Sequence, residues 1–241
     1  MMKRFLILFI AAVTLMGCRD VGKGFRLEVS KHSISWMNGM IGFTTDRDSK
    51  GKRTDYPGFH ASVRCSNGRT IQMPSDKYSL GYGASFPMGT SGIYAPMNGY
   101  SNAEILIETQ DRMVIHLQHD PMTILNVPVT LDKQITLYKD SPIMAVTDYY
   151  TGDFELLNIA AGLSAAHGGT VTELDEGYAV EYPDGVTAII IMPQLEQKKY
   201  KELQGCVFVS KGIGSDEPLY YYVGISDKGL EHLLEEVSKI L

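Results

Sequence analysis

Four histidines stand where proton transfer or ligand binding could be built: His60, His116, His119 and His167. His116 and His119 lie three apart in a run that alternates as a strand, so they point to opposite faces and cannot form one metal or acid/base pair. His119 falls with Ile115 and Leu117 on the apolar face and reads as a core histidine. His60 shares a face with Ser62 and Arg64, a polar row on which the Arg64 guanidinium could fork a ligand carboxylate; a plain solvated face is the other reading. His167 precedes Gly168-Gly169, where a ligand could approach the backbone closely, although a glycine pair equally punctuates a turn. General acid/base chemistry needs a proton donor and an acceptor tuned near neutral pH, and His60 or His167 with Glu181 is the pairing these residue types offer. Asp55, Asp148 and Glu173 are further carboxylates near strand ends.

Aromatic side chains supply a second chemistry, since sugar rings present apolar C–H faces to flat rings and hydroxyls to polar neighbours. Trp36, Tyr82, Tyr94 and Tyr100 are the expected ligand-binding aromatics, whereas the run Tyr220-Tyr221-Tyr222 reads as core filling. Other catalytic motifs are missing. Ser164 lacks the second glycine of a nucleophile elbow, and no glycine-rich loop opens a helix as a phosphate cradle requires. Asp46 to Gly51 lacks the ligand alternation and closing glutamate of a calcium loop, and no Cys/His spacing suits zinc. No metal and no cofactor are expected.

The elements that must position these groups are mostly strands. Phe25 to Ser30 and Phe59 to Cys65 alternate apolar and polar, and Asn38-Gly39 and Asn67-Gly68 mark hairpins. Residues 79–102 are rich in Gly, Ser, Pro, Tyr and Asn and read as a long loop of the kind that often binds or covers a ligand. Strands resume over 103–109, 113–119, 127–138, 143–150 and 154–163. A hairpin follows around Tyr182-Pro183-Asp184-Gly185, then a short helix over 194–203 and strands over 206–210 and 219–225. Leu230, Leu233, Leu234, Val237, Ile240 and Leu241 repeat at helical period behind a cap at Ser226, which predicts one C-terminal helix packed on a sheet. About a dozen short strands closed by one helix define an all-β fold, a β-sandwich or supersandwich.

Composition agrees. Twenty-four Gly and 14 Tyr against 8 Phe and 1 Trp favour a β-rich chain, and 44% hydrophobic with 21% charged residues excludes disorder. Lys plus Arg number 22 against 28 Asp plus Glu, a formal charge of -6, with no basic stripe to meet phosphates, so DNA and RNA are excluded as expected partners. Met1 to Arg4 is a positive n-region, and Phe5 to Val13 is an apolar run too short for a stable bilayer span. Leu15-Met16-Gly17-Cys18 then resembles the bacterial lipobox, in which the cysteine is lipidated after cleavage before it. The expected organisation is a signal peptide over 1–17, a lipidated tether over 18–24 and one β-supersandwich domain over 25–241. Acyl chains on Cys18 would be the membrane contact. Arg19 rather than Asp after the cysteine points to the outer membrane of a Gram-negative cell, on its periplasmic or its outer side. Cys65 and Cys206 leave open both a disulfide and two buried thiols.

Three stretches carry a family resemblance: Ile34-Ser35-Trp36-Met37-Asn38-Gly39-Met40-Ile41-Gly42-Phe43, Tyr78-Ser79-Leu80-Gly81-Tyr82-Gly83, and Tyr221-Tyr222-Val223-Gly224-Ile225-Ser226-Asp227-Lys228. Together and in order they resemble a secreted bacterial family catalogued as domain of unknown function 4861. Its members commonly carry a tryptophan near the position of Ile225 and another in the final helix, whereas here Trp36 is the sole tryptophan. The resemblance implies a galactose-mutarotase-like supersandwich and a setting among pectin- and rhamnogalacturonan-degrading functions. It implies no catalytic residues, because the family has no agreed set. The expectation is a lipid-anchored protein that binds pectic or related plant oligosaccharides beside glycan-utilisation partners. The alternatives are an epimerase, lyase or hydrolase on the same scaffold, or a docking subunit of an outer-membrane complex.

Overall fold

The computed structural model describes residues 24–47, 58–74, 81–89, 92–93, 99–201 and 205–241. In chain order the strands are β1 Arg26–Val29, β2 Ser33–Met37, β3 Ile41–Asp46, β4 His60–Arg64, β5 Thr70–Gln72, β6 Tyr82–Gly89, β7 Gly92–Ile93, β8 Tyr100–Glu108, β9 Arg112–His119 and β10 Met122–Ile124. They continue as β11 Val127–Tyr138, β12 Ile143–Gly152, β13 Leu157–Ser164, β14 Thr170–Leu174, β15 Gly177–Glu181, β16 Thr187–Ile191, β17 Gln197–Lys201, β18 Cys206–Ile213 and β19 Pro218–Ser226, before the helix α1 Leu230–Ser238. The sequence expectation of an all-β sandwich with one C-terminal helix is what the chain adopts.

The strands form three antiparallel sheets. One runs β1-β2-β3-β4-β5, one runs β14-β15-β16-β19-β12-β11-β9-β8 with β10 paired to β11, and one runs β17-β18-β13-β6-β7. The nine-stranded sheet forms one layer, and the two five-stranded sheets cover its inner face. Isolated parallel bridges link the sheets, Phe59 with Gly81 between the two smaller ones and Arg47 with Tyr100 at the margin of the large one. One apolar cluster draws on all three sheets, from Ile34 and Trp36 through Ile135 and Val146 to Phe208 and Val223. Alternation decides which residues enter it: along β11, Val129, Leu131, Lys133, Ile135 and Leu137 point inward.

The hairpins expected at Asn38, Asn67 and Tyr182 all form. Asn38 shows why its turn is specified. Its Oδ1 accepts from the backbone N–H of Met40 and of Ile41, both at 2.9 Å, and its amide donates to the carbonyls of Tyr138 (2.6 Å) and Ser141 (2.8 Å). The turn is thereby fastened to the β11–β12 connection.

Three expectations are corrected. Residues 79–102 are not one long loop, because β6 runs through their centre with Tyr82 to Pro87 buried. A strand covered on both faces needs no polar alternation, so the period-two signal was absent. Residues 194–203 hold the strand β17, paired to β18, rather than a helix. Ser226 does not cap α1, which starts after Gly229 at φ 85°; the Ser226 hydroxyl accepts from the Lys228 N–H at 3.1 Å instead.

Helix α1 seats Leu233 and Val237 on the outer face of the large sheet against Ile143, Ala179, Ile189 and Ile191. It covers one part of that face and leaves the rest open.

Candidate functional site

The sequence-predicted residues scatter. His60 and Arg64 lie on β4, on the face turned away from the Phe59, Ala61 and Val63 side chains that enter the core. Burial lowers the pKa of His60 below its ordinary 6.5, with Asp46 opposing the shift. His167 is exposed at φ 61° in the β13–β14 turn, and Glu181 is exposed at the end of β15 on the outer face of the large sheet. The sandwich therefore places His60 and Glu181 on opposite outer surfaces, and the expected acid/base pair between them is not assembled.

The expected sugar-stacking aromatics are corrected as well. Trp36 is wholly buried, stacked on Phe43 and edge-on to Phe59, with its indole N–H donating to Met144 Sδ at 3.5 Å. Tyr82 is buried, and its hydroxyl donates to the Pro74 carbonyl (2.5 Å) beside the Tyr182 hydroxyl (3.0 Å). Tyr100 is buried against Phe59 and His119. These rings serve the core and present no face to a ligand. Tyr94 and Cys18 lie outside the described residues. Cys65, just past the end of β4, and Cys206, at the start of β18, are buried free thiols; burial, with Asp227 assisting, pushes the Cys65 thiol up.

A polar cluster that sequence reasoning missed sits between the layers. Lys133 is wholly buried and donates to Asp148 Oδ1 (2.5 Å), Tyr221 OH (2.7 Å) and Ser85 Oγ (3.0 Å). Ser85 also donates to Asp148 Oδ2 and lies 3.0 Å from the Tyr150 hydroxyl. Tyr221 OH is 2.9 Å from the Gly83 carbonyl and 3.1 Å from Asp148 Oδ2. Burial lowers the pKa of Lys133, opposed by Asp148, while burial and then Asp148 hold the phenols of Tyr150 and Tyr221 well above 10. A Ser–Lys pair at hydrogen-bond distance is a nucleophile's geometry. Here every member is sealed from solvent, so the cluster joins β6 to β11, β12 and β19 and cannot meet a substrate.

Two surface regions among the described residues gather polar side chains from several strands. The first is a depression of about 320 Å³ where Thr172, Glu181, Thr187, Asp227 and Lys228 surround the start of α1. Asp227 accepts from the Ser66 N–H and hydroxyl, both at 2.7 Å. Burial alone would raise its pKa, but these bonds and Lys228 outweigh it and hold the carboxyl below the ordinary value.

The second region is the part of the large sheet's outer face that α1 leaves open. Strand register aligns Glu104, His116, Gln134, Thr147 and Tyr220 in one row across β8, β9, β11, β12 and β19. The next row carries Asn102, Gln118, Asp132 and Tyr149. His116 Nδ1 lies 3.3 Å from Glu104 Oε1 and Nε2 lies 3.0 Å from Asp132 Oδ1, so both ring nitrogens face carboxylates. Tyr220 is 51% exposed, correcting the expectation that the whole tyrosine run fills the core; only Tyr221 does so fully. Among the described residues no cluster of His, Cys, Asp and Glu suits a metal ion, and no helix is long and apolar enough to cross a membrane.

No model of a protein family and no curated protein sequence matches the chain. Among solved structures, the periplasmic domain of YidC from Thermotoga maritima is similar over 89% of this chain and 92% of its own, with a TM-score of 0.54 at 7% identity. At that identity the likeness is one of fold. A human-microbiome protein assigned as a kojibiose phosphorylase aligns with 89% of this chain and 35% of its own (TM-score 0.47, 9% identity). Heparinase III aligns with 85% and 37% (TM-score 0.46, 10% identity).

Proposed function

We propose that this is a lipid-anchored envelope protein that binds oligosaccharide, without transforming it, on the open outer face of the nine-stranded sheet. The observation that carries the reading is the row from Glu104 to Tyr220. A half-exposed phenol ring can lie against the C–H face of a sugar, and Thr147, Gln134 and the His116–carboxylate group beside it can meet the hydroxyls. Strands stand about 4.8 Å apart, so five side chains in register span roughly 19 Å, a footprint suited to several sugar units. Both His116 nitrogens face carboxylates, so the imidazole is held within the row, and the reading assigns it an orienting role and no proton transfer. Glu104 and Asp132 make the face acidic, which favours neutral pectic side-chain sugars such as galacto-oligosaccharides over galacturonates. Lipidation at Cys18, an outer-membrane address and partnership with glycan-utilisation proteins belong to the same proposal and rest on the lipobox and the family resemblance.

The test is an NMR titration of the full chain with neutral galacto-oligosaccharides and with oligogalacturonates, following protein shifts and anomeric sugar signals together. Shifts on β9, β11, β12 and β19 with unchanged sugar, lost in Tyr220→Ala, are expected. Absence of shifts with every sugar refutes the reading, and a change in the sugar signals refutes its non-catalytic part.

A further inference from the structure

β8 has the sequence of an interior strand but sits at the edge of its sheet. Ile105, Leu106 and Ile107 are 42%, 46% and 43% exposed. A continuous apolar run belongs to a strand buried on both faces, whereas an edge open to water carries polar residues. The register passes from Ile105 opposite Ile115 to Ile107 opposite Val114, which leaves Leu106 as an extra, bulged residue. Ile115 faces the core, and Val114 lies on the face of His116, so Ile105 and Ile107 put apolar side chains on both faces of the sheet margin. Near its start β8 is engaged by Arg47, through the bridge to Tyr100 and an Nε donation to the Ser101 carbonyl at 3.1 Å. Beyond that point, among the described residues, no strand pairs with its outer side. Such an edge is a template for another strand, with affinity from backbone bonds and selection from side chains.

We propose that residues 104–108 of β8 form a docking edge for an extended segment of another protein, apolar at its centre and flanked by lysine or arginine. The charges choose this occupant. Glu104 and Glu108, both exposed, bracket the apolar residues. By the register Glu104 shares the face of His116 and Glu108 the face of Met113, one carboxylate on each side of the margin; a second copy of this chain would bring two more glutamates to the same short edge, and gathered like charges are destabilising. A segment with basic flanks turns both contacts attractive and covers the apolar centre.

The test uses the full chain and two synthetic strand peptides that alternate valine and threonine, one with lysine at both ends and one with glutamate. Amide hydrogen exchange and NMR shifts report on β8. The lysine-ended peptide is expected to slow exchange over residues 104–108 and to bind about tenfold more tightly than the glutamate-ended one, the scale of two cross-strand charge pairs. The double variant Glu104→Lys, Glu108→Lys is expected to reverse that preference. Ile107→Lys, a solvent-side change that leaves the core intact, is expected to abolish protection by either peptide. Equal protection by both peptides, protection by neither, or an unreversed preference overturns the proposal. So does concentration-dependent protection of β8 without peptide, which would assign the edge to self-association. Glu104 belongs to both surfaces, so the readings are separated by their remote parts: sugar shifts on β11, β12 and β19, lost in Tyr220→Ala, report the one, and exchange over residues 104–108, lost in Ile107→Lys, reports the other, so the two fail separately.

Discussion

A lysine ammonium in a β-sandwich core is tolerable only when everything around it accepts a hydrogen bond or carries negative charge, and Lys133 meets that condition through Asp148, Ser85 and Tyr221. Its Nζ also lies 5.3 Å from the Tyr221 ring centroid and 5.8 Å from that of Phe59. Lys133→Met would leave Asp148 charged and unpaired in the core, at an expected loss of about 3–5 kcal/mol. Adding Asp148→Leu should restore much of that loss, because the remaining hydroxyls can bond one another. Urea unfolding followed by Trp36 fluorescence measures both variants. His60 makes a pH prediction. Burial lowers its folded pKa below 6.5, so between that lowered value and 6.5 the unfolded chain binds more protons. Its contribution is therefore complete above 6.5 and falls as pH drops through the window; His60→Gln should flatten this limb of a stability–pH curve.

Among the elements, α1 depends on a close approach that only glycine permits. A Cβ on Gly224 of β19 would stand 2.6 Å from Ile143 Cδ1 and 2.9 Å from Leu233 Cδ2. Gly224→Ala should therefore push the helix off its seat at about 1–3 kcal/mol. Leu233→Ala alone should lose about 2–5 kcal/mol through the cavity it leaves. The double variant is expected to lose less than the sum, since each change makes room for the other, and urea midpoints of the four proteins give the coupling. The helix was legible because its apolar residues repeat at 3.6. The strand β6 was not, because a strand buried on both faces carries no alternation to read. β17 was not legible either, since only pairing with β18 makes a strand of a lysine-rich segment.

For the molecule as a whole, one core shared by three sheets means that both described cysteines are exposed only by unfolding. Iodoacetamide is expected to leave Cys65 and Cys206 unmodified in the native protein and to label them together once urea passes the midpoint; early labelling of either would show that one layer opens alone. By itself the sequence determined the all-β class, the hairpin turns, the final helix and the separation of His116 from His119, because each follows from local periodicity or turn chemistry. Only the tertiary structure decided which polar groups meet. Lys133 and Asp148 occupy inward slots of β11 and β12, a sign visible in the alternation of Val129, Leu131, Ile135 and Leu137 around Lys133. Nothing in either strand names the partner opposite. Trp36, Tyr82 and Tyr100 became core and Tyr220 surface for the same reason: a strand's period says that two faces differ, and the layer laid against one of them decides which is dry.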